Sequence, residues 1–313
     1  MKKQMILWLA SALLLPVCVA AKARLAFPKG VKHVVIIGID GLSVAGLAGA
    51  VTPHLDALTR EGAAGRARVV LPSYSAPNWA SMLAGAGPEA HGVTSNEWRV
   101  NRRDLDPVVA NERGFFPTVL SVIRAQRPAA GLAMFYHWEG IAHLFEQEAA
   151  TVSRRFPTDD ETAGAIARYL REEKPLFLFS QLDEVDAAGH AAGHMTPAYL
   201  QAVHHADSLV GVIMQALREA GIERETLLVV ISDHGGTGRG HGGNSPGEVS
   251  VPCILHGAGV KRGYAIPVPL YVYDLAPTVT FALGLQGSPA WRGKAIRCAF
   301  EGFEAEDDPL ARP

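Results

Sequence analysis

Four short segments bring together residue types that can hold cations. Ile-Gly-Ile-Asp40-Gly, Asp183-Glu-Val-Asp186-Ala-Ala-Gly-His190, Ile-Ser-Asp233-His234-Gly-Gly and Gly-His241-Gly-Gly-Asn offer carboxylates and imidazoles in a recurring pattern. A lone Asp after an apolar run is usually a turn residue or a cap. Three such runs leading into Asp, two of them with a His close behind, are hard to read as turns. Carboxylates gathered at one place repel each other unless cations lie between them. Imidazole and carboxylate together suit zinc. A fifth segment, Leu71-Pro-Ser-Tyr-Ser75-Ala-Pro-Asn78-Trp79, places Ser75 ahead of a Pro-led helical stretch. Backbone N–H groups and the helix dipole favour an anion there. Alone, Ser75 reads as a helix cap. Beside a metal cluster it reads as a nucleophile, because a bound cation lowers the pKa of a hydroxyl.

The elements that must position these residues alternate between strand and helix. Residues 34–39 form a continuous apolar, β-branched run, the pattern of a strand buried on both faces. Residues 176–182, 227–232 and 251–256 repeat the pattern. Residues 52–61 and 196–220 have helical spacing and each opens with Thr-Pro, a cap followed by proline at the first helical position. Residues 273–283 read as a late helix. Strands separated by helices predict an α/β fold with a mainly parallel sheet. Ligand sites in such sheets lie beyond the carboxyl ends of the strands, where the acidic motifs fall. The stretch 94–150 is less regular and rich in aromatics, and is expected to form a small inserted cap. Residues 24–300 are expected to be one catalytic domain, with a polar tail at 301–313.

Composition narrows the class. The chain has 313 residues with 48% hydrophobic and 19% charged, enough to bury a large core and too apolar for wholesale disorder. A formal net charge of −2 provides no global basic field, so no stable nucleic-acid binding is expected. Residues 1–23 read as a secretory signal peptide: Lys2 and Lys3, an apolar run to Val19, then Ala21-Lys-Ala23 before Arg24. That run is short of the ~20 residues of a membrane helix. The mature protein is therefore expected to be periplasmic or secreted, with no membrane span. Export would put Cys253 and Cys298 in an oxidising compartment, where a disulfide between them stays open; Cys253 alone also reads as core filling.

With these motifs in place, the sequence resembles the alkaline phosphatase superfamily, in its type I phosphodiesterase/nucleotide pyrophosphatase branch, from about residue 32 to 285. The resemblance rests on Ile-Asp40-Gly, Ser75-Ala-Pro-Asn78, Asp186-x-x-Gly-His190, Ser-Asp233-His234-Gly and His241. It implies a three-layer sandwich and two zinc ions, with manganese as the substitute. It implies that Asp186, His190 and His241 hold one ion, and that Asp40, Asp233 and His234 hold the other with Ser75 as a further ligand. Asn78 would donate to a phosphoryl oxygen. The implied reaction is attack of Ser75 on phosphorus to give a phosphoserine, then its hydrolysis, on a small phosphate ester or nucleotide. Threonine is the nucleophile in several members, and serine supplies the same alkoxide.

Other chemistries are weighed on the same residues. A sulfatase needs Cys/Ser-x-Pro-x-Arg, and Trp79 stands where the arginine belongs. A phosphomonoesterase is the main competitor, with Arg102, Arg103 or Arg113 available as a clamp for a doubly charged phosphate. Phosphonate hydrolysis is close to it, and metal binding without turnover is a remote alternative. His204 and His205 read as helix surface, Asp183 and Glu184 as structural neighbours of a ligand, and His194 as a substrate-side or solvent residue. His91 is expected to stabilise the loop behind the nucleophile. Trp98, Tyr136, His137 and Trp138 are candidates for stacking on a planar group. Substrate identity and oligomeric state are not legible.

Overall fold

A computed structural model describes residues 27–305. The expected signal peptide and the end of the polar tail lie outside them. Nine strands form one sheet: β1 (His33–Ile39), β2 (Ala63–Arg68), β3 (Leu132–Tyr136), β4 (Val152–Arg155), β5 (Phe177–Leu182), β6 (Thr226–Ile231), β7 (Ser250–Gly257), β8 (Tyr264–Ala265) and β9 (Leu270–Tyr271). Their order is β4-β3-β5-β1-β6-β7-β2-β8, with β9 also pairing β2. Every pairing is parallel except those of β7, which runs antiparallel to β6 and to β2. The four apolar runs read as strands are β1, β5, β6 and β7, within a residue or two at each end.

Alternation along β1 explains the layers, because successive side chains point to opposite faces of a strand. Val34 and Ile36 join one core with Trp79, Met82, Leu120, Ile123 and Val279. Val35, Ile37 and Ile39 join the other with Leu55, Leu58, Ile166, Val203 and Ile213. Helices Ser75–Ala84, Val119–Gln126 and Leu275–Ala282 thus cover one face, and helices Pro53–Glu61, Asp159–Glu173 and Pro197–Glu219 cover the other. Each fully buried Val, Leu or Ile contributes roughly 1.5–3 kcal/mol relative to exposure.

The Thr-Pro signals behave differently from one another. Thr196 caps its helix, its hydroxyl accepting from the Tyr199 N–H. Thr52 makes no such bond. The buried Asp207 carboxylate takes its place, accepting from Leu55 N at 2.7 Å and His54 N at 3.2 Å from across the packed helix. The stretch expected as an inserted cap is largely part of the main body. It contributes β3, between β4 and β5, and the helix Val119–Gln126, whose Val119, Leu120 and Ile123 are buried. Cys253 and Cys298 are both buried, with no disulfide between them, so Cys253 acts as core filling in β7. No helix among the described residues is long and apolar enough to cross a membrane.

Candidate metal centre

Because β1, β5 and β6 are parallel neighbours, their carboxyl ends share one rim of the sheet. Asp40 follows β1, Asp183 follows β5, and Asp233 and His234 follow β6. Asp186 and His190 lie four apart on helix Glu184–Ala192, and so share one helical face. His241 comes from the loop before β7. Ser75 opens helix Ser75–Ala84, as its spacing predicts, and is 6% exposed.

Two clusters result. At the mouth, His190 Nε2 lies 3.1 Å from Asp186 Oδ2 and 3.2 Å from His241 Nε2. Deeper, His234 Nε2 lies 3.2 Å from Asp233 Oδ2, 3.5 Å from Asp40 Oδ1 and 3.1 Å from Ser75 Oγ. Asp186 is within 4.8 Å of ligand atoms in both groups, so it joins them. The half-exposed His190 opens the first cluster to solvent, whereas Asp40, Asp233 and His234 are buried.

The backbone sets the tautomers. His190 Nδ1 faces Arg239 O at 2.9 Å, His241 Nδ1 faces Ser73 O at 2.9 Å, and His234 Nδ1 faces Gly235 O at 2.9 Å. A carbonyl only accepts, so each Nδ1 carries a proton, and in the neutral ring each Nε2 presents a lone pair inward. The His190–His241 contact therefore sets two lone pairs against each other, which is repulsive unless a cation lies between them. Asp40 Oδ1, Asp186 Oδ1 and Asp233 Oδ2 are buried without a hydrogen-bond partner. Burial, followed by the neighbouring Asp233 and Asp186 charges, pushes the Asp40 carboxyl well above its usual range. Burial and then Asp186 do the same to Asp233, and burial and then His241 hold His234 well below the usual imidazole value. Orphaned oxygens, inward lone pairs and unfavourable carboxylate charge are together the signature of a site built for cations, and the N/O donor set fits two divalent ions.

Several residues that hold this geometry escape sequence reasoning. Gln181 Nε2 donates to Asp40 Oδ2 at 3.0 Å and to Asp183 Oδ1 at 2.9 Å, and Trp79 Nε1 donates to Asp40 Oδ2 at 3.2 Å. Both fix Asp40 so that Oδ1 turns to the site. Gly41 has φ +72°, and its N–H donates to Asp233 Oδ1 at 3.2 Å. A Cβ there would stand 2.8 Å from Asp186, so glycine lets two ligand segments touch.

Asn78 departs from its expected role. Its Oδ1 accepts from Val70 N at 2.8 Å, and its Nδ2 donates to Tyr74 O at 2.9 Å and, with its second hydrogen, toward Val70 O and Pro72 O at 3.4 Å, fully buried. The carboxamide braces the loop leading to Ser75 and has no group left for a phosphoryl oxygen. Asn96 sits where that donor was expected. Its Oδ1 accepts from the Ala76 N–H at 2.8 Å, which commits Nδ2 as the donor, and the residue lines the cleft with Ser75. Asn96 lies 21 positions after Ser75, with no local motif to mark it.

His194 also differs from expectation. Its side chain is buried, both ring nitrogens lack partners, and Gly189 and Gly236 leave room only for its ring. Burial, then His241 and His190, lowers its pKa to about 4. His91 is buried behind helix Ser75–Ala84, as expected: Val93 N–H donates to Nδ1 at 3.0 Å, and Nε2 pairs with Ser81 Oγ at 2.9 Å. His204 and His205 lie on the helix surface. Among the aromatics, Trp138 lines the cleft, while Trp98 and Tyr136 are core residues. His137 pairs with buried Asp159 at 2.8 Å. Arg103 bonds Asp106 and Gly114 O, Arg113 pairs with Glu148, and Arg102 bridges to Arg99 through backbone. None of the three lines the cleft.

Comparison with known proteins agrees with this architecture. The human ectonucleotide pyrophosphatase/phosphodiesterase family member 1 is 25% identical over 181 residues, covering 54% of this chain and 19% of that protein. An uncharacterised pyrophosphatase/phosphodiesterase of Schizosaccharomyces pombe is 25% identical over 223 residues, covering 64% of this chain and 44% of the relative. The chain thus spans less than half the length of these relatives. The structure of an inactive variant of murine ectonucleotide pyrophosphatase/phosphodiesterase 5 in complex with AMP superposes with a TM-score of 0.68 at 14% identity, covering 82% of this chain and 96% of that one. The fold is accordingly that of the alkaline phosphatase superfamily. The sequence profile of the type I phosphodiesterase/nucleotide pyrophosphatase family matches residues 34–239, and the chain belongs to that family.

Proposed function

We propose that the protein is an exported hydrolase of phosphodiester or nucleotide pyrophosphate bonds that uses Ser75 as nucleophile. The observation that carries this reading is that Ser75 Oγ, 3.1 Å from His234 Nε2, lines one cleft with the unpartnered carboxylates of Asp40 and Asp186 and the imidazoles of His190 and His241. Asp186, His190 and His241 would hold one divalent cation, and Asp40, Asp233 and His234 the other, with Asp186 within reach of both. Zinc fits the donors best, and manganese is the substitute. Two such ions would activate the serine hydroxyl and neutralise charge on the attacking and leaving oxygens.

The chain's own groups divide the remaining work. Ser75 Oγ, held at the start of a rigid buried helix, forms a bond to phosphorus as the bond to the leaving oxygen breaks. Water then cleaves the phosphoserine and restores the hydroxyl. Asn96 Nδ2 donates to a non-bridging oxygen and so stabilises charge in the transition state. Trp138 offers a face to a planar substituent. The cleft, about 290 Å³, is lined by Asp40, Ser75, Asn96, Trp138, Asp183, Asp186, Ala187, His190 and His241, with no arginine or lysine. A monoester dianion brings one more negative charge than a diester and finds no fixed side-chain cation to meet it. That favours the diester over the monoester. Membership of the family and the AMP held by the murine relative support a nucleotide as one partner. Export rests on the signal-peptide pattern of residues 1–23.

The test compares zinc-loaded protein on p-nitrophenyl thymidine 5′-phosphate and on p-nitrophenyl phosphate. The diester should turn over with the higher kcat/KM. Ser75→Ala should abolish turnover while metal content stays near that of the parent. Full activity in Ser75→Ala, or preference for the monoester, overturns the reading.

A further inference from the structure

A second groove, about 510 Å³, opens on the same rim of the sheet and plays no part in the chemistry described above. Arg66, Arg68, Asn244, Ser250 and Tyr271 are among its walls, with no Asp or Glu. Its position follows from strand register. Ile231 of β6 pairs Cys253 of β7, and Cys253 pairs Gly65 of β2. β2 is antiparallel to β7, itself antiparallel to β6, so β2 runs in the direction of β6. Arg66 and Arg68 therefore follow Gly65 toward the rim where Asp233 and His234 follow Ile231. Two strand spacings separate the ladders, about 10 Å. The loop starting at His241 reaches the groove wall at Asn244, three residues and at most about 11 Å away.

The two arginines share one face of β2 at the groove and, like Arg154 and Arg239 among the described residues, lack the carboxylate partner that six others have. Arg60, Arg103, Arg113, Arg171, Arg218 and Arg262 each pair with a carboxylate. Arg66 and Arg68 are exposed and have no ion pair among the described residues. Guanidinium groups with free forks are suited to phosphate. Tyr271, stacked on Tyr273 at 5.0 Å and 6°, adds an aromatic wall. Cationic and aromatic groups together are the chemistry of a site for a single nucleotide strand.

We propose that this groove binds a second phosphate of an extended phosphodiester substrate, one or more nucleotides from the bond cleaved at Ser75. The proposal rests on the phosphodiesterase reading and deepens it: the groove is a second phosphate subsite that a substrate with one phosphate leaves empty. The global charge of −2 does not oppose this, because the groove is a local positive feature.

The experiment compares the parent, the double variant Arg66→Gln/Arg68→Gln and its charge-preserving counterpart Arg66→Lys/Arg68→Lys. Each is assayed on oligothymidylates of two to six nucleotides and on p-nitrophenyl thymidine 5′-phosphate, which carries one phosphate. The binding of labelled oligothymidylate to Ser75→Ala proteins bearing the same changes is read by fluorescence anisotropy. Each phosphate contact on a single strand contributes about 0.7 to the slope of log affinity against log salt. Two contacts contribute about 1.4, so parent affinity should fall about sevenfold more than that of the double glutamine variant between 50 and 200 mM salt. The glutamine variant should lose kcat/KM on oligothymidylates alone, and the lysine variant should recover most of it. An equal loss on both substrates, or unchanged oligonucleotide affinity and salt slope, overturns the groove. Failure of the parent on the chromogenic diester overturns the catalytic reading instead, and the anisotropy measurement still decides the groove.

Discussion

Trp79→Phe isolates the hold on Asp40 from the chemistry at Ser75. The indole Nε1 is one of two donors to Asp40 Oδ2, the other being Gln181 Nε2. Phenylalanine keeps an aromatic ring in the core beside Phe179, where the rings meet edge to face at 5.7 Å, and removes the N–H. A hydrogen bond to a charged group contributes about 1.5–3 kcal/mol. At 1.4 kcal/mol per tenfold, its loss weakens cation affinity by roughly 10- to 150-fold if it acts mainly on the charged, ligating form of Asp40. That overlaps the 10- to 100-fold typical of groups that orient metal ligands. The smaller ring also lowers stability, but it does so with or without metal. Zinc affinity from chelator competition, measured beside urea unfolding of the metal-free protein, separates the two effects. Zinc affinity within threefold of the parent would falsify the claim that Trp79 orients a ligand.

Two further outcomes follow from the same geometry. Gly41→Ala should cost about 1–2 kcal/mol for a left-handed backbone alone, and its Cβ, 2.8 Å from Asp186, should displace that ligand; retained stoichiometric zinc with parental stability would contradict this. Burial lowers the His91 pKa to about 3. Its folded pKa lies below the unfolded one, so its contribution to stability is present above about pH 6.5 and is lost as pH falls toward 3. One bound proton corresponds to about 1.4 kcal/mol per pH unit. From pH 7 to 5 the parent should therefore lose about 2 kcal/mol through this residue. His91→Gln, less stable at pH 7, should lose correspondingly less over that interval in urea unfolding, and identical losses would remove His91 from the account.

The residues of the candidate site were easier to read than their supports, for a physical reason. Asp40, Asp233 and His234 follow strand ends, Asp186 and His190 share one helical face, and His241 stands in a glycine-rich loop, so local period and punctuation mark them. β2, Ala-Ala-Gly-Arg-Ala-Arg, carries no β-branched or aromatic residue and owes its strand conformation to pairing with β7 and β9. β3 was hidden in a stretch whose loops resembled an insert. Asn78 and Asn96 are chemically identical in sequence, and only the backbone groups that claim the first leave the second to the cleft.

What the chain determined by itself is the order of strands and helices and the chemical types placed at their ends, because burial periodicity and turn chemistry are local properties. What tertiary structure alone decided is which atoms of those residues face one another. Gln181 and Trp79 fix the free oxygen of Asp40, three carbonyls fix the imidazole tautomers, and β7 turns β2 so that two arginines reach the catalytic rim. Each of these depends on groups distant in sequence meeting within hydrogen-bond or strand-pairing distance, which no local pattern encodes.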